Sequence, residues 1–237
     1  MPNPYFQFKQ FLIVQDQCTM KVCTDACILG AWFAEKIPLC SHMLDLGSGT
    51  GLLMLMMAQK NEADIHGIEL DLDSFKQLKE NIFQSKWKER LKAFPGDARN
   101  YPFPVKYDFI ISNPPFFKDE HLAMSSRENV AKHSLELDFE ELLPIIDTNL
   151  KPNGSFGVLL PAFRAAYFES VAIQFNFFPT EKLHIRQTPR HDYFRTVILF
   201  RRGRESFVPE SELAIQTSEA KNTLEFEEMM KDYYLNL

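Results

Sequence analysis

Apolar and polar residues fall into blocks along this chain, and the period changes from block to block. "HMLDLG" (His42 to Gly47) is a short, nearly continuous apolar run, as a strand buried on both faces requires. "LLMLMMAQK" follows it with the length and composition of a helix. "DIHGIEL" (Asp64 to Leu70) predicts a second strand, and "DSFKQLKENIFQS" then carries Phe75, Leu78 and Ile82 at helical spacing. "RLKAFPGD" predicts a third strand and "YDFIIS" (Tyr107 to Ser112) a fourth. "DFEELLPIIDTNL" reads as a helix with Pro144 inside it, "GSFGVLLP" (Gly154 to Pro161) as a fifth strand, and "FRAAYFESVAIQ" as another helix. "TEKLHIRQ" and "FRTVILFRR" predict two more strands with too little between them for a helix, hence an antiparallel pair. The acidic tail from Glu205 onward predicts a closing helix around "TLEFEEMMKDYYLNL". Strands alternating with helices imply an α/β fold on a mostly parallel sheet.

Composition narrows the class. The chain has 237 residues, 45% of them apolar, which suits one α/β domain with a sizeable core. It holds no run of ~18 apolar residues, so no membrane span is expected. The start, "MPNPYFQFKQ", has no basic stretch leading into an apolar one, which argues for a cytoplasmic rather than an exported chain. Cys18, Cys23, Cys27 and Cys40 match no zinc spacing and no CxxC motif, so reduced thiols and no metal are expected. Net charge is −6, yet the segment Lys182 to Arg204 has seven basic residues against one acid, Asp192, a local excess of +6. Arg186, Arg190, Arg195, Arg201, Arg202 and Arg204 are therefore candidates for gripping a polyanion, set against the plainer reading of a solvated strand face.

The first chemical constellation is "LDLGSGTG", Leu44 to Gly51, where a strand ends and a helix opens. Gly47, Gly49 and Gly51, with Ser48 between them, let the backbone turn tightly against a ligand. The spacing is neither a dinucleotide fingerprint nor a Walker loop. Asp45 aims a carboxylate at the same crevice, which suits a ligand bearing an amine or a positive charge. Glu69, at the next strand tip, is placed to accept the two hydroxyls of a ribose. Asp97, in "PGDAR", adds a carboxylate that can accept the exocyclic amine of an adenine. A ribose, an adenine and a cationic amino-acid part together describe S-adenosylmethionine.

"LDLGSGTGLL", "IHGIELD", "GDAR" and "YDFIISNPPFF" follow one another as the motifs of class I S-adenosylmethionine-dependent methyltransferases do. The resemblance implies a Rossmann-like seven-stranded sheet, mostly parallel with the last strand antiparallel. "NPPF", Asn113 to Phe116, resembles the amino-methyltransferase signature for a planar nitrogen. Such a nitrogen has its lone pair spread into the ring. If the Asn113 side chain and the Pro114 carbonyl accept its two N–H bonds, and Pro114 and Pro115 hold both acceptors rigid, charge gathers on the nitrogen with little reorganisation. Phe116 is then expected to stack on the target base, and Phe117 to contact the RNA.

"FQFKQFLIVQDQCTMKVCTDACILGAWF", Phe6 to Phe33, "ENVAKHSLELDFEELL" and "EFEEMMKDYYLNL" resemble segments of the tRNA adenine-N6 methyltransferases that act on adenine 37 of a valine tRNA. The match implies that Lys21, Thr24 and Asp25 line the cofactor side and that residues 1–35 cap a methyltransferase core at 36–204, with 205–237 as an acidic extension of the same domain. Three positions depart from the family: Phe116 replaces the usual Tyr, and Cys23 and Cys27 stand where glycine or small residues are usual. A protein glutamine-amide methyltransferase, a DNA adenine-N6 methyltransferase and a non-catalytic cofactor-binding module are the competing readings. The first two normally bring a further domain, and an intact Asn-Pro-Pro argues against the third.

Overall fold

A computed structural model of the protein describes residues 3–18, 20–37, 40–114 and 139–237. The chain opens with a small antiparallel hairpin, β1 (Tyr5–Gln7) and β2 (Leu12–Val14), and then enters helix α1 (Thr24–Lys36). There follow β3 (His42–Leu46), α2 (Leu52–Lys60), β4 (Asp64–Glu69), α3 (Leu72–Gln84), β5 (Leu91–Pro95) and β6 (Tyr107–Ser112). Beyond the undescribed stretch come α4 (Phe139–Asn149), β7 (Leu150–Pro161), α5 (Ala162–Gln174), β8 (Phe177–Arg186), β9 (Arg195–Arg202), β10 (Glu210–Ala214) and α6 (Leu224–Met230).

The main sheet runs β10-β8-β9-β7-β6-β3-β4-β5. Only β9 runs against its neighbours, pairing antiparallel with both β7 and β8. Alternate residues of the central strands feed opposite faces. Met43, Phe109 and Ile111 join the core under α1, α2 and α3, whereas Leu44, Leu46 and Ile110 join the core under α4 and α5. Both faces are covered, which is why these strands read as continuous apolar runs.

Three features differ from the sequence expectation. The sheet has eight strands rather than seven, because residues 210–214 of the tail add β10 parallel to β8. β10 satisfies the outer backbone edge of β8, a role that main-chain hydrogen bonds fill without an apolar pattern. In "ESELA" only Leu213 is buried. The expected closing helix is correspondingly short, Leu224–Met230. Helix α1 had no sequence signal, because Ala26 through Ala34 are all buried and leave no polar face to mark the period.

The two ends of the chain meet. Lys9 N donates to Tyr233 O at 2.8 Å, Phe8 bridges Tyr234, and the Tyr233 hydroxyl donates to Met56 O on α2 at 3.2 Å. Among the described residues no helix is long and apolar enough to cross a membrane.

Candidate active site

Strands β5, β4, β3 and β6 are parallel neighbours, so their carboxyl ends form one edge. Off β3, Gly47 N and Ser48 N donate to Ile68 O at 3.1 and 3.0 Å, and Gly49 N donates to Glu69 Oε2 at 2.7 Å. Gly47 (φ 76°) and Gly49 (φ 53°) lie in the left-handed region that favours glycine. A Cβ on either would meet no atom within 4 Å. Their conformation, not packing against protein, demands glycine, and the turn keeps its outer face open. Gly51 caps α2 at φ 88° beside Leu78. Across the strand pair, a Cβ at Gly67 would lie 2.4 Å from Ser48 Oγ, so the bare backbone of β4 lets the turn seat closely.

The carboxylates fare differently. Asp45 is fully buried, and neither of its side-chain oxygens has a hydrogen-bond partner among the described residues. Burial, then the charge of Glu69, push its pKa up to about 8, while the nearby Ser48 hydroxyl pulls the other way. That hydroxyl donates to the Asp45 main-chain carbonyl at 2.9 Å. Glu69 accepts from Gly49 N and, through Oε1, from Asp71 N at 2.8 Å. Burial raises its pKa even so. Each oxygen keeps lone-pair capacity for a further donor. Asp97 is not a free acceptor: Arg99 Nε lies 2.9 and 2.8 Å from its two oxygens and Arg99 Nη2 lies 2.6 Å from Oδ2. Arg99 lowers the Asp97 pKa and reaches on to Glu141 at 3.0 Å. An adenine amine would have to share Asp97 with this cation.

At the tip of β6, Ser112 Oγ donates to Leu46 O at 2.9 Å and locks the strand end to the start of the glycine turn. Asn113 follows. Its side-chain oxygen is buried with no partner among the described residues, and Pro114 beside it is buried too. An orphaned acceptor of this kind costs stability unless a ligand donates to it. Pro115, Phe116 and Phe117 lie outside the described residues.

The remaining candidates sit on other elements. Lys21 Nζ donates to Asn3 O at 3.3 Å. Thr24 and Asp25 form the first turn of α1, where Asp25 Oδ2 accepts from Arg195 Nε at 2.9 Å. The pair ties a candidate cofactor residue to a candidate RNA residue. The basic segment is not one surface. Arg195 opens β9 opposite Pro161, and Arg186 closes β8, so both lie at the edge that carries the glycine turn. Arg190 is exposed in the connection between them. Arg201 and Arg202 lie at the other end of β9, six or seven residues on, about 20 Å at ~3.3 Å per residue. Arg202 is already paired with Asp147 and stacked 4.4 Å from the Phe177 ring, and exposed Arg204 follows it. Folding separates what the sequence placed together, because an antiparallel strand carries its two ends to opposite edges.

Sequence reasoning missed Arg99 and Glu141, and also a group on α5. Phe163 is 74% exposed directly beyond the tip of β7, and Arg164 stacks 5.7 Å from the Tyr167 ring one turn on. The rule that strand tips face the ligand crevice points to Phe163 as soon as Pro161 is read as a strand end. Among the described residues no group of His, Cys, Asp and Glu is placed to hold a metal. The unpartnered Asp45 carboxyl, the open glycine turn and the spare capacity of Glu69 fit a ligand with a cationic end and a diol. Of the three candidate carboxylates, Asp97 is the one already engaged, by Arg99.

Comparisons with known proteins bear on the fold and the family. The family model "Methyltransferase small domain" matches residues 28–140. A tRNA1(Val) (adenine(37)-N6)-methyltransferase of Dyadobacter fermentans is 39% identical over 98% of both chains. The protein of the same name from Bacteroides thetaiotaomicron is 35% identical over the full length of both. Among solved structures, a predicted O-methyltransferase from Agrobacterium tumefaciens superposes with a TM-score of 0.68, covering 89% of this chain and 99% of its own at 14% identity. The glycopeptide N-methyltransferase MtfA complexed with S-adenosyl-L-methionine superposes at 0.58, covering 77% and 100% at 10% identity. These two establish the fold, and the full-length matches establish the family. A methyltransferase sheet with an open glycine turn and an unpartnered asparagine at the neighbouring strand tip, carried on a chain alike from end to end, belongs to the tRNA1(Val) (adenine(37)-N6)-methyltransferase family.

Proposed function

We propose that this protein transfers a methyl group from S-adenosylmethionine to N6 of adenine 37 in a valine tRNA, the reaction for which its relatives are named. The observation that carries the reading is the buried, unpartnered side-chain oxygen of Asn113 beside the glycine turn. Full-length similarity to tRNA methyltransferases leaves the glutamine-amide, DNA and non-catalytic readings without support of their own. The tRNA substrate puts the work in the cytoplasm. Residues 1–35, 36–204 and 205–237 act as one unit.

When bound, S-adenosylmethionine supplies a methyl group on a sulfonium. Asp45 and the Gly47–Gly51 turn hold its amino-acid part, Glu69 its ribose and Asp97, in competition with Arg99, its adenine. Lys21, Thr24 and Asp25 border the same side. Asn113 accepts one N–H of the target amine and the Pro114 carbonyl the other, which localises the lone pair for attack. Fixing the amine in one place also removes the entropy cost of finding the attack geometry. The methylated nitrogen is strongly acidic and gives its proton to water without a strong base. Phe116 is proposed from its place in the sequence to stack on the extruded base. Arg186, Arg190, Arg195 and Phe163 border the RNA path at the same edge. Incubating the purified protein with unmodified tRNA and analysing its nucleosides by mass spectrometry tests the reading. N6-methyladenosine at position 37 is expected, and no methyl incorporation into tRNA would overturn it.

A further inference from the structure

A cavity of about 440 Å³ opens between the first turn of α1, the β8–β9 connection and the C-terminal tail, within the ~300–1,000 Å³ range of small-ligand sites. Its polar lining residues are mostly amide-bearing, Gln187, Gln216, Asn222 and Asn236, with Thr24 and Asp25 beside them, and its apolar lining includes Phe194 and Tyr234. No lysine or arginine lines it. That chemistry does not suit phosphate. Amides present a donor and an acceptor side by side, the complement of a nucleobase edge, and aromatic rings offer the faces on which a base stacks.

The walls are held in place. Gln187 Nε2 donates to Gln216 Oε1 at 2.9 Å, and Gln216 N donates to Gln187 O at 2.8 Å. Gln216 and Asn222 form an antiparallel bridge. Asn222 is half-buried and Asn236 is exposed. Position matters as much as chemistry. Asp25 forms part of the cavity wall and also holds Arg195, which opens β9 at the edge carrying the glycine turn. A strand of RNA whose target adenine enters beside Asn113 has its neighbouring nucleotides at this edge.

We propose that the cavity takes the base of a nucleotide flanking the target adenine, so that the β8–β9 connection and the tail read the single-stranded loop around the methylated position. The inference rests on the tRNA methyltransferase reading above. It is tested with the full-length protein on anticodon stem-loop RNAs carrying an abasic nucleotide at each position around the target adenine in turn. For the wild type, one flanking abasic substitution is expected to lower kcat/KM about tenfold, the scale of losing one stacked base. The double variant Gln187→Ala, Asn222→Ala should lose a similar factor on the intact RNA and nothing further at that position. Penalties at other positions should be unchanged, as should calorimetric affinity for S-adenosylmethionine. The isosteric Asn222→Asp, which removes a donor and adds a charge, should show the same pattern without altering packing. Variants that match the wild type on the intact RNA, or that keep every abasic penalty, overturn this inference alone. A wild-type protein that methylates no tRNA overturns the methyltransferase reading and this one with it.

Discussion

Asp45 keeps both carboxylate oxygens buried and unpaired, and its pKa stands near 8, so in the free protein at neutral pH it is mostly protonated. A cationic ligand favours the ionised form. Cofactor binding at pH 7 should therefore release a proton, and affinity should rise from pH 6 to pH 8 and level off above. Calorimetry in two buffers of different ionisation heat measures that proton, and an identical apparent enthalpy in both would count against the assignment. Stability runs the opposite way. A carboxyl whose folded pKa is raised from 3.8 to about 8 keeps its proton better in the folded state, so stability falls as pH climbs through that window. Asp45→Asn should flatten the fall in apo-protein melts while abolishing the pH dependence of binding. Glu69→Ala should weaken S-adenosylmethionine by ~1–3 kcal/mol through lost charge-assisted hydrogen bonds. Asp97→Ala should cost less, because Arg99 already occupies both oxygens. A larger loss at Asp97 would reverse their roles. Asn113→Ala should lower kcat by ~10²–10³ with cofactor affinity almost unmoved, since it removes an acceptor that matters most as the nitrogen attacks. Near-wild-type single-turnover rates in that variant would sink the mechanism.

Helix α1 lies against β7 because Gly157 presents no side chain there. A Cβ at that position would sit 2.1 Å from the Phe33 ring carbon Cζ. Gly157→Ala should therefore force the ring and the helix outward and cost ~1–3 kcal/mol, read from denaturant unfolding. If stability is unchanged, the helix is not clamped at this point. The same helix brings Asp25 to Arg195, so its seat on the sheet sets the spacing between α1 and the start of β9. The tail works similarly at the other border. β10 covers the free edge of β8, and the chain then turns back so that Tyr233 packs on α2 and the hairpin.

Across the whole molecule, charge is arranged by edge rather than by segment. Arg190 stands exposed at the edge with the glycine turn, whereas Arg201 and Arg204 stand exposed near the far end of β9. Arg190→Ala should weaken tRNA binding and reduce its salt dependence by ~0.7–0.9 in the log–log slope, the value of one phosphate contact. The pair Arg201→Ala, Arg204→Ala should change neither. Binding isotherms from low to moderate salt decide the matter, and the reverse ranking would put the RNA on the opposite edge.

Local pattern was enough for the central strands, the glycine turn and the order Asp45, Glu69, Asp97, Asn113, because a doubly covered parallel sheet writes itself as short apolar runs and these candidate groups fall at the ends of those runs. The family, too, was legible, since its motifs are contiguous stretches of chain. β10 and α1 were not: one is a strand by virtue of the edge it completes, the other a helix buried on all sides, and neither condition leaves a period in the sequence. Nor did the sequence show that Arg99 fills Asp97, that Asp25 holds Arg195, or that the run from Lys182 to Arg204 is split between two edges. Each of these depends on distances between residues far apart in the chain or on the direction in which a strand runs. Only packing the elements together sets such distances and directions.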